Sequence, residues 1–236
     1  MAYAIVVAAG KGRRMAAPLP KQYLLLAQKP VLYHTLSAVW ACKKVSGIFL
    51  AVAKNDMAFC KEKVLSLPLP GPVHLVAGGK TRQQSVFNAL LALEKTAKPD
   101  DVVAIHDGVR PFVRPDQVDA CIESAQKGGA CILALPASDT LKHVDPDGRI
   151  LRTADRSGVW LAQTPQAFCF GLIMDAHKKA ARQGLRATDD AMLLEELGLP
   201  IYVAPGSRLN IKLTTAEDMV LARALARTRT RVQTGA

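Results

Sequence analysis

Four cations crowd one glycine-rich turn. Ala9-Gly10-Lys11-Gly12-Arg13-Arg14-Met15 follows an apolar run, and Lys21 stands close behind in Leu19-Pro20-Lys21-Gln22-Tyr23. Glycines permit positive φ and a close approach of backbone to ligand. Successive N–H groups exposed in such a turn form an anion-binding concavity. A strand-to-helix turn accounts for the glycines alone, but it has no use for Lys11, Arg13, Arg14 and Lys21, which repel one another. A polyphosphate offsets them. The turn is not a Walker A loop, since no Gly-Lys-Ser/Thr follows, and Met15 stands where the dinucleotide fingerprint needs its third glycine.

A second chemical signal is an acid at the end of an apolar run, Val102-Val103-Ala104-Ile105-His106-Asp107-Gly108-Val109-Arg110-Pro111. In open α/β sheets, ligands bind beyond the carboxyl ends of the strands. Asp107 is therefore placed either to hold Mg²⁺, which takes one or two carboxylates plus phosphate oxygens, or to cap its own loop. Neighbouring strand residues face opposite sides, so His106 cannot readily share a ligand with Asp107. The chain has no His-Glu-x-x-His and no Gly-x-Ser-x-Gly, which removes support for zinc and serine hydrolases.

The elements that must position these groups alternate. Continuous apolar runs at Ala4–Ala8, Gly47–Ala53, His74–Ala77, Val102–His106, Ala130–Leu135 and Ile201–Ala204 suit strands covered on both faces. Helical patterns fall between them, over Pro30–Cys42, Arg82–Lys95, Pro115–Lys127 and Ala191–Leu197. A Thr214…Glu217 capping box opens a last helix to about Arg227. This rhythm predicts a doubly wound three-layer α/β/α fold, Rossmann-like, with a mostly parallel sheet. Residues 138–160 are polar and turn-rich around Asp145-Pro146-Asp147-Gly148, and are expected to project as a β-arm. We read residues 1–228 as one domain and 229–236 as a basic tail.

Composition bounds the alternatives. Half of the 236 residues are hydrophobic, which excludes intrinsic disorder. The formal net charge of +11 points to an anionic partner. Aromatic residues make up only 5% of the chain, too few for a single-strand stacking platform. A basic nucleic-acid-binding module would explain the charge but not Asp107. Five cysteines, an odd number with no Cys-x-x-Cys pair, predict a reducing, cytoplasmic setting. No apolar run is long enough to span a bilayer, and no membrane or nucleic-acid partner is expected.

Taken in order, the motifs form a set: Ala8-Ala9-Gly10-x-Gly12-x-Arg14-Met15, Pro20-Lys21-Gln22-Tyr23, Gly78-Gly79-x-x-Arg82-x-x-Ser85-Val86, His106-Asp107-Gly108-x-Arg110-Pro111, Asp139-Thr140, Asp155-Arg156, Gln163-Thr164-Pro165-Gln166, Thr188-Asp189-Asp190-Ala191 and Asn210-Ile211-Lys212. Over roughly residues 3–225 this set closely resembles the 2-C-methyl-D-erythritol 4-phosphate cytidylyltransferases of the non-mevalonate isoprenoid pathway. The resemblance implies a nucleotidyltransferase that passes CMP from CTP to methylerythritol 4-phosphate and releases pyrophosphate, with Mg²⁺ or another divalent ion. It implies transition-state stabilisers at Arg14 and Lys21, and a metal ligand at Asp107. Nucleotide contacts are implied at Ala8, Ala9, Gly10, Gly79, Ser85 and Gly108. Arg156 and Lys212 would position the substrate phosphate, with Thr140, Thr164 and Thr188 also at the substrate. The 138–160 arm resembles the segment that crosses to a second subunit, which implies a homodimer. Lys80 departs from the acidic or small polar residue expected after the glycine pair. Ribitol-5-phosphate cytidylyltransferases share the first loop, Pro-Lys-Gln and Thr-Pro-Gln, but Asp155–Trp160 and Thr188–Ala191 favour the methylerythritol family. Other sugar-nucleotide transferases are a more distant alternative.

Overall fold

The structure is a computed structural model, and it describes residues 1–10 and 19–234. Strand β1 (Ala2–Ala8) is buried along its whole length. Ala2, Ala4, Val6 and Ala8 pack on one face of the sheet and Tyr3, Ile5 and Val7 on the other. Helices cover both faces, so a two-residue period leaves no polar position and the strand reads as an unbroken apolar run.

After β1 the chain makes a small hairpin, β2 (Leu25–Leu26) and β3 (Lys29–Pro30), and then α1 (Val31–Trp40). There follow β4 (Val45–Val52), α2 (Met57–Cys60), β5 (Val73–Ala77), α3 (Arg82–Leu93), β6 (Val102–Asp107), α4 (Pro115–Gly128) and β7 (Ala130–Pro136). Strands β8 (Lys142–Val144) and β9 (Ile150–Thr153) form the arm. Then come β10 (Trp160–Cys169), α5 (Phe170–Gln183), α6 (Ala191–Glu195), β11 (Tyr202–Pro205) and α7 (Ala216–Thr234). The seven-stranded sheet has the order β11-β7-β10-β6-β1-β4-β5, and β10 alone runs antiparallel to its neighbours. Helices α1 and α4 bury Leu32, Leu36, Val118 and Ile122 against one face. Helices α3, α5 and α6 bury Val86, Leu90, Ile173 and Leu193 against the other. The expected three-layer, mostly parallel α/β architecture is present.

The position of the site follows from the topology. Strand β1 pairs in parallel with β4 on one side and β6 on the other. The winding reverses there, which opens a crevice beyond the carboxyl ends of β1 and β6.

Three features differ from expectation. Strand β10 and helix α5 have no counterpart among the predicted elements. Pro165 argues against a central strand, yet β10 accommodates it where the register with β7 breaks between Ala162 and Gln166, and the Thr164–Pro165 bond is cis. Cys169 ends β10 and Phe170 begins α5 directly, so no turn residue marks the boundary. The capping box lies one residue later than read: the Thr215 amide donates to Asp218 Oδ2 at 2.8 Å and the Asp218 amide to Thr215 Oγ1 at 3.4 Å. The Thr214 amide and hydroxyl also donate to Asp218 Oδ2, each at 2.7 Å, which displaces Glu217 from the role. Helix α7 then continues to Thr234, beyond the expected end near Arg227.

The arm is a hairpin as expected. Strands β8 and β9 pair antiparallel around the 145–148 turn, where Gly148 has φ +84°. All seven of their residues are exposed.

Candidate active site

A cavity of about 1000 Å³ opens at the crevice. Its walls come from the ends of three parallel strands and the loops after them: Ala8, Ala9 and Gly10 after β1, Gly78 and Gly79 after β5, and Asp107 at the end of β6. Lys21, Ser85, Arg82 and Lys212 close the sides. The approach of two of these loops demands glycine. A Cβ on Gly78 would lie 2.6 Å from Ala9 Cβ, and one on Gly108 would lie 2.9 Å from Ala8 Cβ. Gln22, buried under the first loop, donates from Nε2 to the Ala8 carbonyl at 2.8 Å and so fixes the strand end.

Asp107 is the electrostatic centre. Arg82 Nε donates to its Oδ1 at 3.1 Å, while Lys212 Nζ at 2.9 Å and Arg110 Nε at 3.4 Å share Oδ2. Burial works against ionisation here. The charges of Arg82, Lys212 and Arg110 outweigh it and hold the carboxyl well below the usual carboxylate range. Arg82 is itself held from behind: its Nη1 donates to Asp190 Oδ2 at 2.6 Å, and Asp190 Oδ1 lies 3.3 Å from His177 Nε2. Burial also opposes the Asp190 charge, and Arg82 and His177 overcome it and lower its pKa. Three cations thus face two carboxylates, leaving the cavity floor net positive before Lys21 is counted.

A buried chain of hydrogen bonds fixes the Asp107 backbone. The Asp107 amide donates to Thr164 Oγ1 at 3.1 Å, and that oxygen lies 3.0 Å from His106 Nδ1. His106 Nε2 lies 3.2 Å from the Arg110 carbonyl, which can only accept. His106 Nε2 therefore carries the proton and Nδ1 accepts from the Thr164 hydroxyl. Burial lowers the His106 pKa to about 4, against weaker support from the Arg110 carbonyl and Asp107, and keeps the ring neutral.

The expected site residues divide by location. Ala8, Ala9, Gly10, Lys21, Gly79, Ser85, Asp107 and Lys212 line the cavity together. Gly108 does not: its N–H is committed to the Val7 carbonyl at 2.9 Å, behind the wall. Thr164 is buried beneath Asp107 rather than open to the cavity. Thr188 is exposed in the loop before α6, with its hydroxyl 3.9 Å from Met192 Sδ. Thr140 and Arg156 lie exposed along the arm segment, and Arg156 donates to the Ser138 carbonyl. Neither lines the large cavity. Lys11, Gly12, Arg13, Arg14 and Met15 lie outside the described residues. Sequence reading gave no role to Arg82, Arg110 and Asp190, although each stood inside a quoted motif. Pairings across 108 residues, such as Arg82 with Asp190, leave no periodic trace.

A second cavity, of about 510 Å³, adjoins the first through Lys212 and is bounded by Arg110, Ser138, Arg208 and the base of the arm. Among the described residues no three His, Cys, Asp or Glu side chains cluster to hold a metal. Asp107 lines the cavity with both carboxylate oxygens paired to Arg82, Lys212 and Arg110. None of the described helices is long and apolar enough to cross a membrane.

The sequence model of one family, IspD, 2-C-methyl-D-erythritol 4-phosphate cytidylyltransferase, matches residues 2–228. The chain belongs to this family. The enzyme of that name from Geobacter metallireducens is 46% identical over 94% of this chain and 96% of its own length. The crystal structure of 4-diphosphocytidyl-2C-methyl-D-erythritol synthase from Anaerococcus prevotii superposes with a TM-score of 0.81 at 33% identity, covering 96% of each chain. That of the Thermus thermophilus cytidylyltransferase gives 0.77 at 33% identity, covering 96% of this chain and all of its own. Family membership makes this chain a cytidylyltransferase of the non-mevalonate isoprenoid pathway.

Proposed function

We infer that the chain performs its family's reaction in the cavity at β1 and β6, transferring CMP from CTP to 2-C-methyl-D-erythritol 4-phosphate with release of pyrophosphate. The observation that carries this reading is the net positive floor around Asp107. The attacking group is a phosphate monoester with a second pKa near ~6, already largely dianionic at neutral pH. It needs no general base, and the buried His106 beside Asp107 has both nitrogens engaged. The obstacle is repulsion between a dianion and a triphosphate. Such transfers depend on positioning and on fixed cations around the developing charge.

Lys21, and Arg14 beyond the described residues, stabilise charge on the triphosphate. Ala8, Ala9, Gly10, Gly79 and Ser85 hold the nucleotide. Lys212, which borders both cavities, orients the incoming phosphate. Asp107 would hold Mg²⁺, which supplies charge neutralisation at the phosphate oxygens when bound. Thr164 acts through Asp107, by anchoring its amide.

The arm completes this picture as part of a homodimer. A two-stranded hairpin is marginally stable alone, and this one exposes Val144, Ile150 and Leu151, with Trp160 and Leu161 at its base. A second copy would cover them and bring Thr140 and Arg156 to the neighbouring site. Residues 1–228 act as one domain in this reading. The test is pyrophosphate release from CTP with methylerythritol 4-phosphate. Turnover in the wild type is expected, and Lys21→Ala should lower kcat far more than it raises either KM. No turnover with this pair, or preferential turnover of ribitol 5-phosphate, would overturn the assignment.

A further inference from the structure

Arg82 and Lys212 converge on Asp107 in the large cavity, so the triphosphate belongs beside them. The base must then lie against the other wall, between the end of β5 and the first turns of α3. Two side chains on that wall have their hydrogen-bonding roles already fixed. The Ser85 hydroxyl donates to the Thr81 carbonyl at 2.8 Å and accepts from the Gly79 amide at 3.0 Å. Its proton is spent, and towards a ligand it can only accept. Asn88 lines the cavity one turn further along α3. Its Nδ2 donates to the Ala77 carbonyl at 2.9 Å. A carbonyl cannot donate, so this bond settles which amide atom is nitrogen, and Oδ1 is the remaining atom. Asn88 Oδ1 has no partner among the described residues. Lys80, on the same rim, donates its amide to Gln84 Oε1 and carries no side-chain acceptor.

We propose that Asn88 is a base-specificity residue, whose oriented Oδ1 accepts from the exocyclic amine of cytosine and opposes the carbonyl oxygen that uracil carries there. This rests on the reading of the cavity as a CTP site and adds to it the group that selects the base. At position 4 cytosine carries a donor and uracil an acceptor. A fixed acceptor gains one hydrogen bond with the first and leaves two acceptors facing each other with the second.

The test is the ratio of kcat/KM for CTP over UTP, and over the triphosphate of the pyrimidin-2-one riboside, which lacks any group at position 4. Asn88→Ala should cut the CTP:UTP ratio by about tenfold, the worth of one hydrogen bond. It should also bring CTP and the pyrimidinone nucleotide within a few-fold of each other. A purely structural role, through the bond to Ala77, would slow all three nucleotides alike and leave the ratios unchanged, which would overturn the proposal. Asn88→Leu has nearly the same shape but no acceptor, and replaces the alanine variant if that one does not fold. Wild-type enzyme inactive with CTP would instead refute the underlying assignment.

Discussion

Asp107 and His106 are neighbours in sequence and opposites in chemistry. Asp107 stays charged because three cations overcome its burial, and His106 stays neutral because nothing overcomes its own. This has a consequence for stability. With a folded pKa of about 4 against an ordinary value of roughly 6.5, the unfolded chain binds a proton in that interval and the folded one does not. Stability attributable to His106 is therefore intact above roughly pH 6.5 and is lost as pH falls towards about 4. The loss amounts to about 3 kcal/mol at most. Thermal melts of wild type and His106→Gln across this interval should show the wild type losing more. Parallel curves would mean that His106 does not carry the dependence. The place of Asp107 at the cavity was legible in the sequence because an acid closes an apolar strand. The restraint on it was not legible, because Arg82, Thr164 and Lys212 come from separate elements and meet only in three dimensions.

Elements explain how distant residues reach one site. Lys212 sits in the stretch between β11 and α7, and the start of α7 fixes that stretch: Asp218 takes three hydrogen bonds from Thr214 and Thr215. Asn210, fully buried, ties the other end by donating to the Thr164 carbonyl at 2.9 Å and to Gln163 Oε1 at 3.2 Å. Removing the cap with Asp218→Ala should cost about 1 kcal/mol, or ~2–4 °C in Tm for a chain of this size. It should also raise KM for the sugar phosphate more than for CTP, because Lys212 loses its mooring. An unchanged KM with a lowered Tm would confine Asp218 to stability. The parallel strands were legible from their apolar runs. Strand β10 was not, because Pro165 mimics a strand breaker and the strand passes into α5 without a turn.

At the scale of the molecule, the winding reversal beside β1 puts one cavity at the sheet's carboxyl edge, and the arm leads away from it. Arg156 and Thr140 lie exposed on the arm segment, and the proposed dimer would bring them to a neighbouring cavity. Sedimentation should find a dimer, and deleting 140–156 should give monomers that fold yet turn over poorly. Full activity in such monomers would remove the arm from the mechanism. The hairpin was legible from Asp145-Pro146-Asp147-Gly148 between two short β-like runs. No local pattern in 138–160 says where the arm's partner lies.

The central claim is spatial: fixed cations and one carboxylate surround the triphosphate so that a second anion can approach. A crystal structure with CTP and magnesium tests it most directly. The account predicts the metal on Asp107, Lys21 and Lys212 against the phosphates, and the pyrimidine beside Ser85 and Asn88. A nucleotide bound elsewhere, with these side chains turned away from it, would contradict it.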